Sequence, residues 1–173
     1  MMMNPKISLI YDTRTLISPI GNCWSPHLEK SIPWFGKDIY KVTLGLDDHE
    51  EGVSEFYQTL NEFQKWYSTQ VSMRVPNSIV YRSLRGNPYV GFKIRDKGQG
   101  PIPTFNTNGE RTESPISGDR IQVRYSLAGW NDGEKAGIKV YLDSVCILDR
   151  VGTPEVEKHI VENDCDDGAW NEW

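Results

Sequence analysis

Apolar and polar positions alternate along most of this chain, and one stretch breaks the alternation with a longer period. Residues 39–46, IYKVTLGL, put Tyr40, Val42, Leu44 and Leu46 on one face and Lys41 and Thr43 on the other, the two-residue period of a half-buried strand. The following stretch places Phe56, Leu60, Phe63 and Tyr67 at i, i+4, i+7 and i+11, one stripe of an amphipathic helix. Asp48 with Glu51 three residues on predicts a capped start, and Pro76 and Asn77 lie beyond the end. Strand periodicity then resumes. In 89–95, Val90, Phe92 and Ile94 point one way and Tyr89, Gly91, Lys93 and Arg95 the other. In 120–127, Ile121, Val123, Tyr125 and Leu127 point inward, Arg120 and Arg124 outward. The last strand, 138–148, has Ile138, Val140, Leu142, Cys146 and Leu148 inward if one register holds across Ser144; Lys139 and Tyr141 are then outward. KGQGP and the polar run 106–119 predict loops, and residues 1–38 predict one strand with long irregular connections. There is no internal repeat.

A mainly β chain of about five strands with one inserted helix fits a small closed barrel, the five-stranded oligonucleotide-binding (OB) barrel first. A β-sandwich with an inserted helix fits the same pattern. At 173 residues the chain divides most simply into one domain, 1–154, and a C-terminal tail, 155–173. No stretch approaches eighteen apolar residues, and Met1-Met2-Met3 has no apolar run behind it, so neither a membrane helix nor a secretory signal is predicted. Cys23, Cys146 and Cys165 form an odd set without tight spacing, which favours a reducing compartment; a cytoplasmic protein is the expectation.

Charge separates the two parts. Residues 1–154 carry 18 Lys+Arg against 17 Asp+Glu, whereas 155–173, EVEKHIVENDCDDGAWNEW, carry seven acids and one lysine. Blocks of like charge do not bury themselves and commonly serve as interaction tails. Asp164, Asp166, Asp167 and Glu172 supply charge around Trp170 and Trp173, and aromatic side chains are what partner pockets hold. Within the body, residues 65–97 hold seven basic residues against one acid, interleaved with Tyr81, Tyr89 and Phe92. Cations neutralise phosphates and release counterions, and rings stack on any base, so this pattern suits a sequence-tolerant single-strand binder. The candidate set is Lys41, Arg82, Arg85, Lys93, Arg95, Arg124 and Lys139 for phosphates and Tyr89 and Tyr141 for bases, with Trp34 and Tyr81 as further rings. A solvated sheet face explains the same residues, and Trp34 equally suits packing before the 39–46 strand. Tyr40, Phe56, Phe63 and Tyr125 belong to the core.

Enzyme chemistry finds little support. Asp47-Asp48 begins a helix and Asp166-Asp167 lies in the tail, so neither supplies converging carboxylates for two metals. Cys23 and His27 have no second ligand pair in the body, no cofactor motif is present, and Gly98-Gln99-Gly100 precedes Pro101 rather than a helix.

Residues 39–70 and 118–151 resemble the single-stranded DNA-binding proteins of short-tailed bacteriophages. IYKVTLGL followed by the long helix is similar to that family's second strand and helix. GDRIQVRYSLAGWNDGEKAGIKVYLDSVCILDRV is similar to its final hairpin, and an acidic tail ending in an aromatic is its third mark. The resemblance covers about half the chain, in the correct order. It implies an OB fold, ssDNA binding and annealing in phage replication or recombination, often a homodimer, and a tail whose terminal aromatic, here Trp173, contacts replication proteins such as the polymerase and the helicase/primase. A phage structural or scaffold β-protein with a docking tail, and a DNA-processing nuclease, are the rival readings.

Overall fold

The alternating segments do become strands. In the computed structural model, which describes residues 8–12 and 14–151, nine strands and one helix follow in order. They are β1 (Ser8–Tyr11), β2 (Leu16–Ile17), β3 (Gly21–Trp34), β4 (Lys37–Gly45), α1 (Val53–Val71), β5 (Val80–Arg82), β6 (Pro88–Arg95), β7 (Thr104–Phe105), β8 (Arg120–Asn131) and β9 (Ala136–Asp149). The acidic segment 155–173, with Asp164, Asp166, Asp167, Trp170, Glu172 and Trp173, lies outside the described residues.

Five strands are long, and their pairings close on themselves. β3 pairs with β4, β4 with β6, β6 with β9, β9 with β8 and β8 with β3. Only β6–β9 is parallel within this ring. The four short strands are additions to the expected five: β1 and β2 lie along β8, β5 along β6 and β7 along β9.

Inside the ring sit the predicted inward residues. Val42, Leu44, Val90, Phe92, Val123, Leu127 and Val140 are all fully buried. The helix adds Phe56, Leu60, Phe63 and Tyr67, the stripe its spacing predicted, each buried and each worth about 1.5–3 kcal/mol of transfer free energy. Phe56 meets Tyr125 edge-on at 5.8 Å, and Tyr67 lies directly over Gly129 of β8, where any Cβ would clash with its ring. Gly129 is therefore what lets α1 approach the sheet.

Three expectations need correction. The helix begins at Val53 behind Gly52, at φ 88°, with no side-chain cap; Asp48 is spent elsewhere, accepting hydrogen bonds from the Tyr57 hydroxyl (2.7 Å) and Arg82 (2.8 Å). The inward set of β9 changes at Asp143. Arg124 pairs with Ser144 but Tyr125 with Leu142, so one extra residue flips the strand, and Val145 and Ile147 take the core positions expected of Cys146 and Leu148. Residues 8–34 form three strands rather than one. β3 went unseen because its register against β4 slips between Trp24 and His27 and again between His27 and Ile32, with Ser25 at φ 45°, which destroys any steady alternation.

Candidate nucleic-acid interface

The core takes one side of β4, β6 and β9; the other side carries the predicted cations. Register aligns His27 of β3 with Lys41 of β4, Lys41 with Lys93 of β6, and Lys93 with Tyr141 of β9, so one row crosses four strands. The neighbouring row runs from Trp24 to Thr43 to Gly91. Lys139, two residues before Tyr141 on a strand parallel to β6, comes abreast of Gly91.

Aromatic rings surround these rows. Tyr89 lies between Trp24 (6.3 Å) and its cross-strand partner Tyr81 (5.9 Å). Toward the β3–β4 turn, the Trp34 ring carries the ammonium groups of Lys41 at 4.8 Å and Lys93 at 4.2 Å from its centroid. On the β9 side, Tyr141 meets Tyr11 at 5.8 Å, and the Lys139 ammonium lies 6.0 Å from the Trp130 ring. Gly91 forms the floor between them: a Cβ there would meet, among the described residues, only Lys93 Cε at 3.8 Å.

Alternation placed Lys41, Lys93 and Lys139 on this outward face, but not as solvated charges. They are 1%, 3% and 2% exposed. The correction has a physical cause: strand neighbours bring indole rings beside the ammoniums, an attractive cation–π arrangement. Burial also raises the pKa of the Tyr141 hydroxyl, with Tyr11 adding to the shift, so the phenol stays neutral. The indole Nε1 of Trp34 and that of Trp130 are buried and have no hydrogen-bond acceptor among the described residues. Buried donors ordinarily find a partner, and here both lie beside lysines. Such an assembly suits an anion carrying oxygen acceptors and attached to something flat.

Of the remaining candidates, Arg95 continues this face one row beyond Lys93, and the others stand apart from it. Arg82 forms an ion pair with Asp48 and donates to the Gly86 carbonyl (3.0 Å), tying the β5–β6 turn to the approach to α1. That pairing holds the Asp48 carboxyl below its ordinary value, with the Tyr57 hydroxyl bond second; the Tyr57 phenol is pushed up to about 12 by burial and then by Asp48. Arg85 is exposed in that turn. Arg95 is exposed at the end of β6 opposite Ile39, and Arg124 is exposed on β8 opposite Ser144 and Ile17. A cleft of about 360 Å³ opens beside Trp24, but Asp47, Asp48 and His49 line it, which suits no phosphate. Among the described residues no group of three His, Cys, Asp or Glu is placed to hold a metal ion.

Sequence reasoning missed Trp24, Trp130 and Tyr11. Trp24 lies in the irregular strand, Trp130 continues the outward alternation of β8 two steps beyond Ser126, and Tyr11 sits on a four-residue strand. Only the Trp130 signal was available in the pattern.

No family model and no curated protein matches the chain. Solved structures do. Gp2.5, a single-stranded DNA-binding protein encoded by bacteriophage T7, superposes with a TM-score of 0.61 over 87% of this chain and 96% of its own, at 18% identity. The single-stranded DNA-binding protein from bacteriophage Enc34 in complex with ssDNA gives 0.62 over 78% and 86%, at 16% identity. Another structure of the single-stranded DNA-binding protein from bacteriophage Enc34 gives 0.62 over 92% and 99%, at 15% identity. The chain shares the fold of these phage proteins.

Proposed function

We propose that this chain is a non-enzymatic, sequence-tolerant single-stranded DNA-binding protein of the phage type, built on an OB barrel. One observation carries the reading: Lys41, Lys93 and Tyr141 align in a single row across β4, β6 and β9, with aromatic pairs on both sides. Phosphates take the place of the indole faces as partners of Lys41, Lys93 and Lys139. Bases stack on Tyr89, Tyr81, Trp24 and Tyr141, at about 1–3 kcal/mol per base. Nothing in this arrangement reads base edges, so affinity follows phosphate number and ring contact rather than sequence.

The acidic segment 155–173 carries charge opposite to the lysine row. Tethered to β9, it competes for that row at high effective concentration and is released when DNA binds. Asp164, Asp166, Asp167, Trp170, Glu172 and Trp173 are then free for replication proteins such as polymerase and helicase/primase. Protection and annealing of ssDNA in phage replication or recombination, in the host cytoplasm and as a homodimer, complete the proposal.

A titration of labelled oligo(dT) across salt, with and without magnesium, tests it. We expect intact DNA, a log–log salt slope of several units, and a slope smaller by about one for Lys93→Gln. Absence of binding favours a scaffold protein, and cleavage with magnesium favours a nuclease; either result ends the proposal.

A further inference from the structure

Strand β3 returns into β4 through two residues, Phe35 and Gly36, with Trp34 and Lys37 paired across the turn. Both turn residues have positive φ, 47° and 79°. That is the mirror-image hairpin turn, which favours Asn-Gly or Gly-Gly; a bulky aromatic at its first position sits in backbone space that L side chains avoid. Burial does not offset the strain, because Phe35 is 50% exposed. Strained residues with exposed side chains gather at functional positions. The position of this ring says which function. It stands edge-on to Trp34, centroids 5.3 Å apart and planes at 85°, and the face of Trp34 carries the Lys41 and Lys93 ammoniums. Phe35 is thus the next aromatic after the cation row, at the rim of the interface.

We propose that Phe35 is a base-stacking residue, and that the β3–β4 tip holds an unpaired nucleobase at the rim of the interface. A nucleobase fits because it is flat, tolerant of an apolar face, and joined to an anion by a short linker. This rests on the single-strand reading above and extends the binding path beyond the lysine row. Because the turn itself prefers a small residue, binding and stability respond to substitution in opposite directions.

The test uses the full chain with Phe35→Asn and Phe35→Trp, measuring melting temperature and oligo(dT) affinity for each. The expected result is a Tm higher by about 2–4 °C for Phe35→Asn, with affinity lower by roughly 5- to 100-fold. Phe35→Trp keeps wild-type affinity. A 5-iododeoxyuridine oligonucleotide should cross-link at residue 35 in the wild type. Unchanged affinity in Phe35→Asn overturns the proposal, as does a Phe35→Trp loss equal to the asparagine loss, or a lower Tm that makes the ring a structural prop. An Asn variant that binds oligo(dT) normally yet fails to capture a protein ligand moves the tip to a protein partner and equally overturns it. If the wild type binds no oligo(dT), the single-strand reading itself falls; wild-type binding with an indifferent Phe35 leaves that reading intact and removes this one.

Discussion

Gly91 separates binding from folding better than any charged residue does. It lies mid-strand in β6, its missing side chain facing the interface while Phe92 beside it is buried in the core. A Cβ there finds Lys93 Cε at 3.8 Å, ordinary contact, so the first carbon of a valine side chain meets no clash. Strand propensity favours valine over glycine on a scale spanning about 1 kcal/mol, hence a Tm unchanged or raised by up to roughly 4 °C. The same isopropyl group fills the floor between Trp24, Tyr89 and the lysines. If it displaces one stacked base, about 1–3 kcal/mol is lost, a Kd weaker by roughly 5- to 150-fold. Circular-dichroism melting and fluorescence anisotropy on labelled oligo(dT) measure the two effects separately. Gly129→Ala is the control, because its Cβ would enter the Tyr67 ring. Overpacking of that kind costs about 1–3 kcal/mol of stability, with DNA affinity unaffected in the folded fraction. A Gly91→Val protein that melts normally and binds DNA as tightly as wild type would refute the placement of DNA on this face.

Acid stability gives a further check. Asp48 is held below its ordinary 3.8 by Arg82 and Tyr57, and Asp96 by the Ser31 hydroxyl (2.7 Å) and the Gly98 amide (2.9 Å). Folded values below the unfolded one mean that this stabilisation is complete above 3.8 and disappears as pH falls through the depressed values. Tm should therefore stay flat from neutral pH to about 5 and fall below about 4, with a shallower acid limb in Asp48→Asn and Asp96→Asn; an unchanged limb counts against these bonds. Arg82→Gln should lower Tm slightly yet alter the salt slope of DNA binding less than Lys93→Gln does, since Arg82 is engaged with Asp48. The reverse ranking in a salt series would restore Arg82 to the binding set.

Periodicity was a good guide wherever a strand stayed in one register and a poor one elsewhere. β4, β6, the first half of β9 and the helical stripe of α1 follow it residue by residue. β3 does not, since two slips and Pro26 and Pro33 scramble its faces, and β2 and β7 are two residues long, shorter than one full alternation. The lysines show a different limit. Alternation states which face Lys41, Lys93 and Lys139 occupy, but whether that face is wet depends on Trp34 and Trp130 arriving from other parts of the chain. The same holds for Arg82, whose partner Asp48 is 34 residues away. Spacing along a strand says nothing about such distant partners.

The ring of long strands has one junction unlike the rest. β6 and β9 run side by side in the same direction with a single aligned pair, Lys93 and Tyr141, whereas β8 and β9 share twelve. That junction is the clasp of the band, and its outer face is the one proposed to hold DNA. Whatever spans Lys93 and Tyr141 from outside fastens the clasp, so occupancy and resistance to unravelling must rise together.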